Sequence, residues 1–165
     1  ISEVMVLAGQ ALVLANGQQV ALGTPKEVLL KTPVLPLVDT THLETLLEGR
    51  VVAHHPKSGT TEAEFGGFTL CLPTIDRNEG EPITVSVEAS DVMVSAEAPL
   101  GLSARNVLKA TISALNRVGD IVIVTADAGK PLFANVTPEA TISLGLQPGS
   151  EVYLVLKTSS IVLLG

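Results

Sequence analysis

Short apolar runs alternate with glycine, proline and polar residues over most of the chain after about residue 46. Such runs are typical of β-strands, and Thr84-Val85-Ser86-Val87 shows the alternation of a half-buried strand. Many short strands joined by glycine and proline turns favour small β-barrels. The predicted strands cover residues 49–55, 62–65, 68–72, 83–87, 92–96, 107–115, 121–126, 132–136, 152–156 and 161–164.

Residues 1–31 follow a different pattern, which predicts a helix end, a hairpin and a second helix. The apolar residues 1–7 are compatible with the end of a helix. Asn16-Gly17 lies between two apolar runs and is a strong hairpin signal, because both residues tolerate positive φ. In Thr24-Pro25-Lys26-Glu27, Thr24 serves as N-cap, the proline occupies the first helical position and the glutamate completes a capping box.

Residues 32–45 contain Pro33 and Pro36 and show no clear period, so they are predicted to be a linker. A short helix over 41–47 is the alternative for its last part. One further helix is predicted in the second half of the chain. Thr137 caps it, Pro138 and Glu139 open it, and Gly145 ends it.

Two segments of the chain echo two others, which indicates an internal repeat. Residues 87–94 align with 156–163, and residues 47–53 align more loosely with 108–114. We interpret the repeat as two related barrel lobes, residues 46–101 and 102–165. The predicted fold class is therefore mainly β, with two OB-like lobes.

The net charge of −7 is unevenly distributed. Residues 32–102 carry three bases and eleven acids, a sum of −8, whereas residues 103–165 carry five bases and four acids, a sum of +1. A nucleic-acid surface would need a basic face and, for single strands, stacking aromatic residues. Neither is present in the sequence, so nucleic acid is not an expected partner.

A single cysteine, Cys71, excludes an internal disulfide and suits a reducing compartment. Flanked by Leu70 and Leu72, it is expected to be a small buried hydrophobic residue. No apolar run approaches the ~20 residues that span a bilayer. Because the chain begins with Ile1, we expect it to be a piece of a longer protein.

The candidate chemistry lies in two segments at opposite ends of the second lobe. Ser103-Ala104-Arg105-Asn106 and Lys157-Thr158-Ser159-Ser160 each place hydroxyl groups beside a cation. A tetrahedral dianion accepts hydrogen bonds from hydroxyl groups, main-chain N–H groups and cations, and donates none in return. The repeat aligns Glu88 with Lys157 and Asp91 with Ser160, so only the second lobe is equipped for an anion.

These segments resemble a known family. Ser103-Ala104-Arg105-Asn106 with Lys109 is similar to the opening signature of the Mop, or molybdate-binding, domain. The remainder of that pattern resembles residues 137–139, 144–149 and 152–161. Residues 3–4, 13–20 and 23–28 resemble the last stretch of an ABC ATPase domain. Residues 51–56 and 89–92 resemble the first barrel lobe of molybdate-transporter ATP-binding subunits.

The resemblance implies a ligand, molybdate or tungstate, and a homodimer through the barrel domains, since the ion commonly binds between paired domains of this family. It implies that the parent protein contacts membrane permease subunits on the cytoplasmic side of the inner membrane of a prokaryote, and that ATP and Mg²⁺ bind only in an upstream domain. Residues 1–31 would be the C-terminal remnant of that ATPase domain. The oxyanion-binding residues carried over are Ser103, Ala104, Arg105, Asn106, Lys157, Thr158 and Ser159. Thr158 departs from the alanine common in the family.

The expected function is therefore oxyanion binding, with feedback inhibition of transport as a hypothesis. No Walker A lysine or catalytic set is present, so the chain itself is not expected to be an enzyme. Two alternatives remain open: a ligand-free dimerisation module, and the regulatory domain of a sulfate or sugar importer. The adjacent His54 and His55 do not predict a metal site, because neighbouring strand residues point to opposite faces.

Overall fold

The computed structural model describes residues 8–29 and 42–165, which form a hairpin with a short helix and two five-stranded antiparallel sheets. The predicted helix end at residues 1–7 and most of the predicted linker, residues 32–41, lie outside the described residues. Among the helices that are described, none has the length and apolar character needed to cross a membrane.

The hairpin and the helix that follows it are formed as the sequence predicts. β1 (Ala11–Ala15) pairs with β2 (Gln18–Gly23), and Asn16 and Gly17 between them have φ of 52° and 75°. α1 (Pro25–Leu29) begins after the predicted capping box. The Thr24 N–H donates to Glu27 Oε2 at 3.1 Å, and the Glu27 N–H donates to Thr24 Oγ1 at 3.4 Å.

All ten strands predicted after residue 46 are confirmed, with ends that differ by a few residues. They are β3 (Glu44–His55), β4 (Thr60–Glu64), β5 (Thr69–Pro73), β6 (Pro82–Glu88), β7 (Met93–Ser95), β8 (Asn106–Val118), β9 (Ile121–Asp127), β10 (Pro131–Val136), β11 (Glu151–Leu156) and β12 (Ile161–Leu164).

The alternative of a helix over 41–47 is wrong, because β3 already begins at Glu44. Thr45 and Leu47 are buried whereas Glu44 and Leu46 are less so, which is the period of two that a strand produces. All four residues pair with β6. Tertiary pairing therefore decides this segment.

Each sheet takes its last strand from the other half of the chain. The first sheet has the order β5-β4-β3-β6-β12, and the second has the order β10-β9-β8-β11-β7. β7 thus leaves the first half to pair with β11, and β12 leaves the second half to pair with β6. The two predicted lobes are present, but they are interlocked by this reciprocal exchange.

The internal repeat predicted from the sequence is confirmed in detail. β3 and β8 each carry an irregularity in register, between Val51 and Ala53 and between Ile112 and Ala114. Each exchanged strand follows a short 3-10 turn, Ala89–Asp91 in the first half and Thr158–Ser160 in the second. We call two residues counterparts when they occupy the same place in the registers of the two sheets.

The two sheets share one hydrophobic core. Val51, Leu70 and Val85 of the first sheet belong to the same buried cluster as Ile112 and Leu132 of the second. Because this core is continuous and the last strands are exchanged, separating the halves would expose apolar surface on both. The fold class is therefore mainly β, as predicted, with two curled sheets closed over a common interior.

The helix predicted in the second half is α2 (Pro138–Ser143). Thr137 caps it by accepting a hydrogen bond from the Ala140 N–H at 3.1 Å, and Gly145 follows its end with φ of 60°. The cap, the proline at the start and the glycine after the end all match the sequence prediction.

Replacing Gly49 by alanine should destabilise the fold by about 1–3 kcal/mol, the usual cost of overpacking. A Cβ atom at Gly49 would lie 2.3 Å from the Glu64 carbonyl oxygen and 2.5 Å from Phe65 Cδ1. The midpoint of urea denaturation measures the change. Val52→Thr, at a position 48% exposed, is the control and should change stability by less than about 0.5 kcal/mol. Equal midpoints for Gly49→Ala and wild type would contradict the close packing of β3 on β4.

Candidate functional site

The two signature segments meet at one end of the second sheet, beyond the ends of two neighbouring interior strands. β8 begins at Asn106, β11 ends at Leu156, and these two residues are paired in the antiparallel register. Residues 103–105 lead into β8 and residues 157–159 follow β11, so they leave neighbouring strands side by side. The fold therefore brings together, within one chain, two segments that lie at opposite ends of the second lobe's sequence.

Several candidate side chains at this end of the sheet are exposed, which leaves their polar groups accessible to a ligand. They are Ser103, Arg105, Lys157 and Ser159, whereas Ala104 is half-buried. Among the residues that the structure describes, no carboxylate lies within ion-pair distance of Arg105 or Lys157. Both cations are therefore uncompensated by a neighbouring acid.

Thr158 opens the 3-10 turn that carries the chain away from β11. The turn is held by a hydrogen bond of 3.1 Å from the Ser160 N–H to the Lys157 carbonyl oxygen. Thr158 itself is half-buried, and its Oγ1 is buried without a hydrogen-bond partner among the described residues. An unpaired buried hydroxyl is unfavourable, so this atom is a candidate donor to a bound group.

The side chain of Asn106 has a structural role. Asn106 is 3% exposed, its Oδ1 accepts from the Cys71 N–H at 2.7 Å, and its Nδ2 donates to the Cys71 carbonyl oxygen at 3.0 Å. The amide thus holds the start of β8 against β5 of the other sheet. Sequence reasoning missed Cys71 because it lies 35 positions away and no local pattern connects the two residues.

A counterpart of this contact joins the sheets on the other side. Thr45 and Asn106 are counterparts, since they pair with Val87 and Leu156, which the repeat aligns. Thr45 is buried, and its Oγ1 accepts a hydrogen bond from the Phe133 N–H of β10 at 3.1 Å. Each half therefore places one polar side chain at the start of its long strand to fix the edge of the opposite sheet.

Lys109, which belongs to the resembling signature, is occupied elsewhere. Its Nζ lies 2.6 Å from Glu151 Oε1 on the exposed surface. The hydrogen bond with Glu151, together with the charge of that carboxylate, raises the pKa of Lys109 above its ordinary value. Its charge is already balanced, which distinguishes it from Arg105 and Lys157.

The first half carries the opposite charges at the counterpart positions. Glu44 is the counterpart of Arg105 and Glu88 is the counterpart of Lys157, and the two carboxylates are on paired residues of β3 and β6. Asp91 follows in the same turn, and Glu88 accepts a hydrogen bond from Ser90 Oγ at 3.2 Å. Two carboxylates at this place repel an anion, so the halves differ in chemistry although they agree in backbone.

The adjacent histidines form ordinary polar contacts. His54 Nδ1 lies 3.0 Å from Thr61 Oγ1, its Nε2 lies 2.8 Å from the Arg77 carbonyl oxygen, and His55 lies near Glu62. The described part of the chain contains no group of three or more histidine, cysteine or acidic residues placed to hold a metal ion.

Replacing Asn106 by alanine should destabilise the protein by about 2 kcal/mol, because both main-chain groups of Cys71 would lose their partner in a buried place. Thr45→Val is the matched variant on the other side. It removes a single hydrogen bond and should cost only about 1 kcal/mol. Urea denaturation of the two variants beside wild type gives both values. A larger loss for Thr45→Val than for Asn106→Ala would contradict the role given to Asn106.

Comparison with known proteins agrees with this architecture. Residues 102–163 match the TOBE domain family. The chain is 32% identical over 97% of its length to the molybdenum import ATP-binding protein ModC of Mesorhizobium japonicum, of which it covers 44%. It is 29% identical over 98% of its length to the protein of the same name from Escherichia coli K12, of which it covers 46%. The chain thus spans a little under half the length of these relatives.

A solved structure has a similar fold. It is that of the cytoplasmic molybdate-binding protein ModG with molybdate bound, which matches with a TM-score of 0.61 and 24% identity over 72% of this chain and 94% of that chain. The interlocked β fold described above is therefore one that occurs in a solved protein. Residues 102–163 thus match the TOBE domain family, and over nearly its whole length the chain is similar to part of the molybdenum import ATP-binding proteins.

Proposed function

We propose that this chain binds a tetrahedral oxyanion, molybdate or tungstate, at the end of the second sheet where β8 begins and β11 ends. One observation carries the proposal: Asn106 and Leu156 are paired, Arg105 and Lys157 flank this pair, and no carboxylate among the described residues lies within ion-pair distance of either cation. Two cations on the segments that flank neighbouring strands repel each other, and a bound dianion would offset that repulsion. Relatives named for molybdenum import and molybdate binding support the choice of ligand.

The site supplies donors of the kinds that a dianion accepts. Arg105 and Lys157 contribute charge, and Ser103, Thr158 and Ser159 contribute hydroxyl groups. The main chain around 104–106 adds N–H groups. Charge-assisted hydrogen bonds each contribute roughly 1.5–3 kcal/mol when shielded from water. Asn106 acts indirectly, since its amide is bonded to Cys71 and holds the segment in place.

A second copy of the chain shields the site in this proposal. The donors are exposed in the single chain, and exposed apolar side chains lie close to them in sequence and on the sheet. Leu100 is 92% exposed and Leu102 is 45% exposed, directly before the signature. Met93 and Val107 are also exposed, and both are paired with Val155 in one row across β7, β11 and β8. Such an apolar patch beside a polar site suits an interface.

In the complete protein, this module would regulate an ATP-binding subunit of a molybdate importer. Residues 8–29 would be the end of the ATPase domain, ATP and Mg²⁺ would bind upstream, and the permease subunits would be reached through that domain at the cytoplasmic face of the inner membrane. The chain itself has no ATPase activity in this proposal. Occupation of the oxyanion site would inhibit further transport.

Isothermal titration of the purified chain should show binding of molybdate and tungstate. Arg105→Ala should weaken binding about 10–100-fold, because it removes a charge-assisted hydrogen bond. The control is Arg117→Ala, at the far end of β8, where the guanidinium bonds to the Gly119 carbonyl oxygen. That variant should bind as wild type. A preference for sulfate or a sugar would favour the rival importers, and no binding by a dimeric sample would favour a purely structural module.

The chain should sediment as a dimer, and Met93→Glu should shift it toward monomer because a charge would then be buried in the interface. Val162→Glu is the matched control, since Val162 is the counterpart of Met93 on the first sheet and is 57% exposed. Analytical ultracentrifugation at several concentrations measures both. A wild-type chain that sediments as a monomer would refute the proposed dimer. If the two variants behave alike, the dimer interface lies elsewhere.

A further inference from the structure

The two 3-10 turns lie over different surroundings, although their backbones are equivalent. The turn of the first half packs on β10, and the turn of the second half packs on β5. Under the first turn, Ala89 belongs to a closed apolar cluster with Leu43, Ile123 and Phe133. These four side chains are between 0% and 5% exposed. The place under the first turn is therefore completely filled.

Smaller or polar residues occupy the counterpart positions under the second turn. Register places Ala104 where the first half has Leu43, Thr60 where it has Ile123, and Cys71 where it has Phe133. Thr158 takes the place of Ala89. All four are half-buried, in contrast to the closed cluster. Replacing leucine by alanine and phenylalanine by cysteine removes several heavy atoms, so we infer a recess here, where the counterpart place is filled by apolar side chains.

Cys71 faces this recess and not the common core. Leu70 and Leu72 on either side belong to the core cluster, so the side chain between them points to the opposite face of β5. The two hydrogen bonds from Asn106 to the main chain of Cys71 hold this part of β5 against the signature segment. The expectation that Cys71 is a buried core residue is therefore wrong, because the alternation of β5 turns it outward.

Thr158 gives the recess its polar character. Its Oγ1 is buried and unpaired, whereas Thr60 Oγ1 already has Ser58 Oγ at 2.8 Å. At the counterpart position the side chain of Ala89 carries no hydrogen-bond donor. Thr158 thus has a hydroxyl group where Ala89 has only a methyl group, and the side chains around Thr158 are smaller. This combination fits a ligand that accepts a hydrogen bond from the hydroxyl group.

We propose that this recess, walled by Ala104 and Cys71 and supplied with the hydroxyl of Thr158, is the inner end of the oxyanion site. The inference rests on the proposed function and deepens it. An oxygen of the ligand enters the recess and accepts the hydrogen bond that Thr158 Oγ1 lacks. Cys71, from the first half of the chain, then lies against the ligand, so the site is composed by both halves.

Cys71 is the only cysteine of the chain, so alkylation by iodoacetamide reports on the recess alone. The thiol should react in the folded, ligand-free protein. With molybdate at ~100 times its dissociation constant, the rate should fall by roughly a hundredfold, because only the free protein reacts. At the same molybdate concentration the rate should fall only about 2–11-fold in Arg105→Ala, because its affinity is 10–100-fold weaker, and this smaller effect excludes a direct action of molybdate on the reagent.

The hydroxyl is tested separately by Thr158→Val, which keeps the shape of the side chain and removes the donor. Titration with molybdate should show affinity about tenfold weaker than wild type. Thr158→Ser keeps the donor and should lose less affinity than Thr158→Val.

The outcomes separate the two proposals. Wild type that binds no oxyanion refutes the proposed function and this inference with it. Wild type that binds molybdate, but whose Cys71 is alkylated at the same rate with and without saturating ligand, refutes the recess alone. A thiol that does not react in the free protein, or Thr158→Val with wild-type affinity, also overturns it.

Discussion

The structure depends on the reciprocal exchange of one strand between two sheets. β7 completes the second sheet and β12 completes the first, so each half of the chain supplies hydrogen-bonding edges that the other half closes. A long unpaired edge strand is prone to association, and the exchange covers β11 and β6 with the short strands β7 and β12, which become the edge strands. Since both sheets also contribute to one core cluster, each half needs the other for its strand pairing and for the burial of its apolar face.

The candidate site follows from the same exchange. A chain that passes from one sheet to the other needs a short crossover, and the 3-10 turns after β6 and β11 provide it. The turn Thr158–Ser160 therefore lies where the end of β11, the start of β8 and the edge strand β5 meet. Asn106 fixes that meeting point through Cys71, and Thr45 fixes the equivalent point through Phe133. One backbone arrangement is thus present twice.

Side-chain chemistry makes the two places different. Glu44 and Glu88 stand where the second half has Arg105 and Lys157, and a filled apolar cluster stands where the second half has Ala104 and Cys71. The first half has the same backbone arrangement, but apolar side chains fill the place under its turn and carboxylates replace the cations. Among the described residues, the other has two cations without an ion-pair partner, a hydroxyl without a hydrogen-bond partner and smaller side chains, and these features support the proposal that it binds a small dianion.

Local features of the molecule could be predicted from the sequence, because their causes are local. Asn16-Gly17 selects its turn, Thr137 caps its helix, and the alternation of apolar residues locates ten strands. The repeat also aligned the two segments that form the 3-10 turns, and it showed that Lys157 precedes the second where Glu88 precedes the first. Tertiary structure alone decided which strands are exchanged, that residues 44–47 extend β3, and that the Asn106 amide bonds to the main chain of Cys71. Contacts between distant residues determine the strand partners and the apolar filling under the first turn. The period of a sequence carries no information about which distant strand it will pair with.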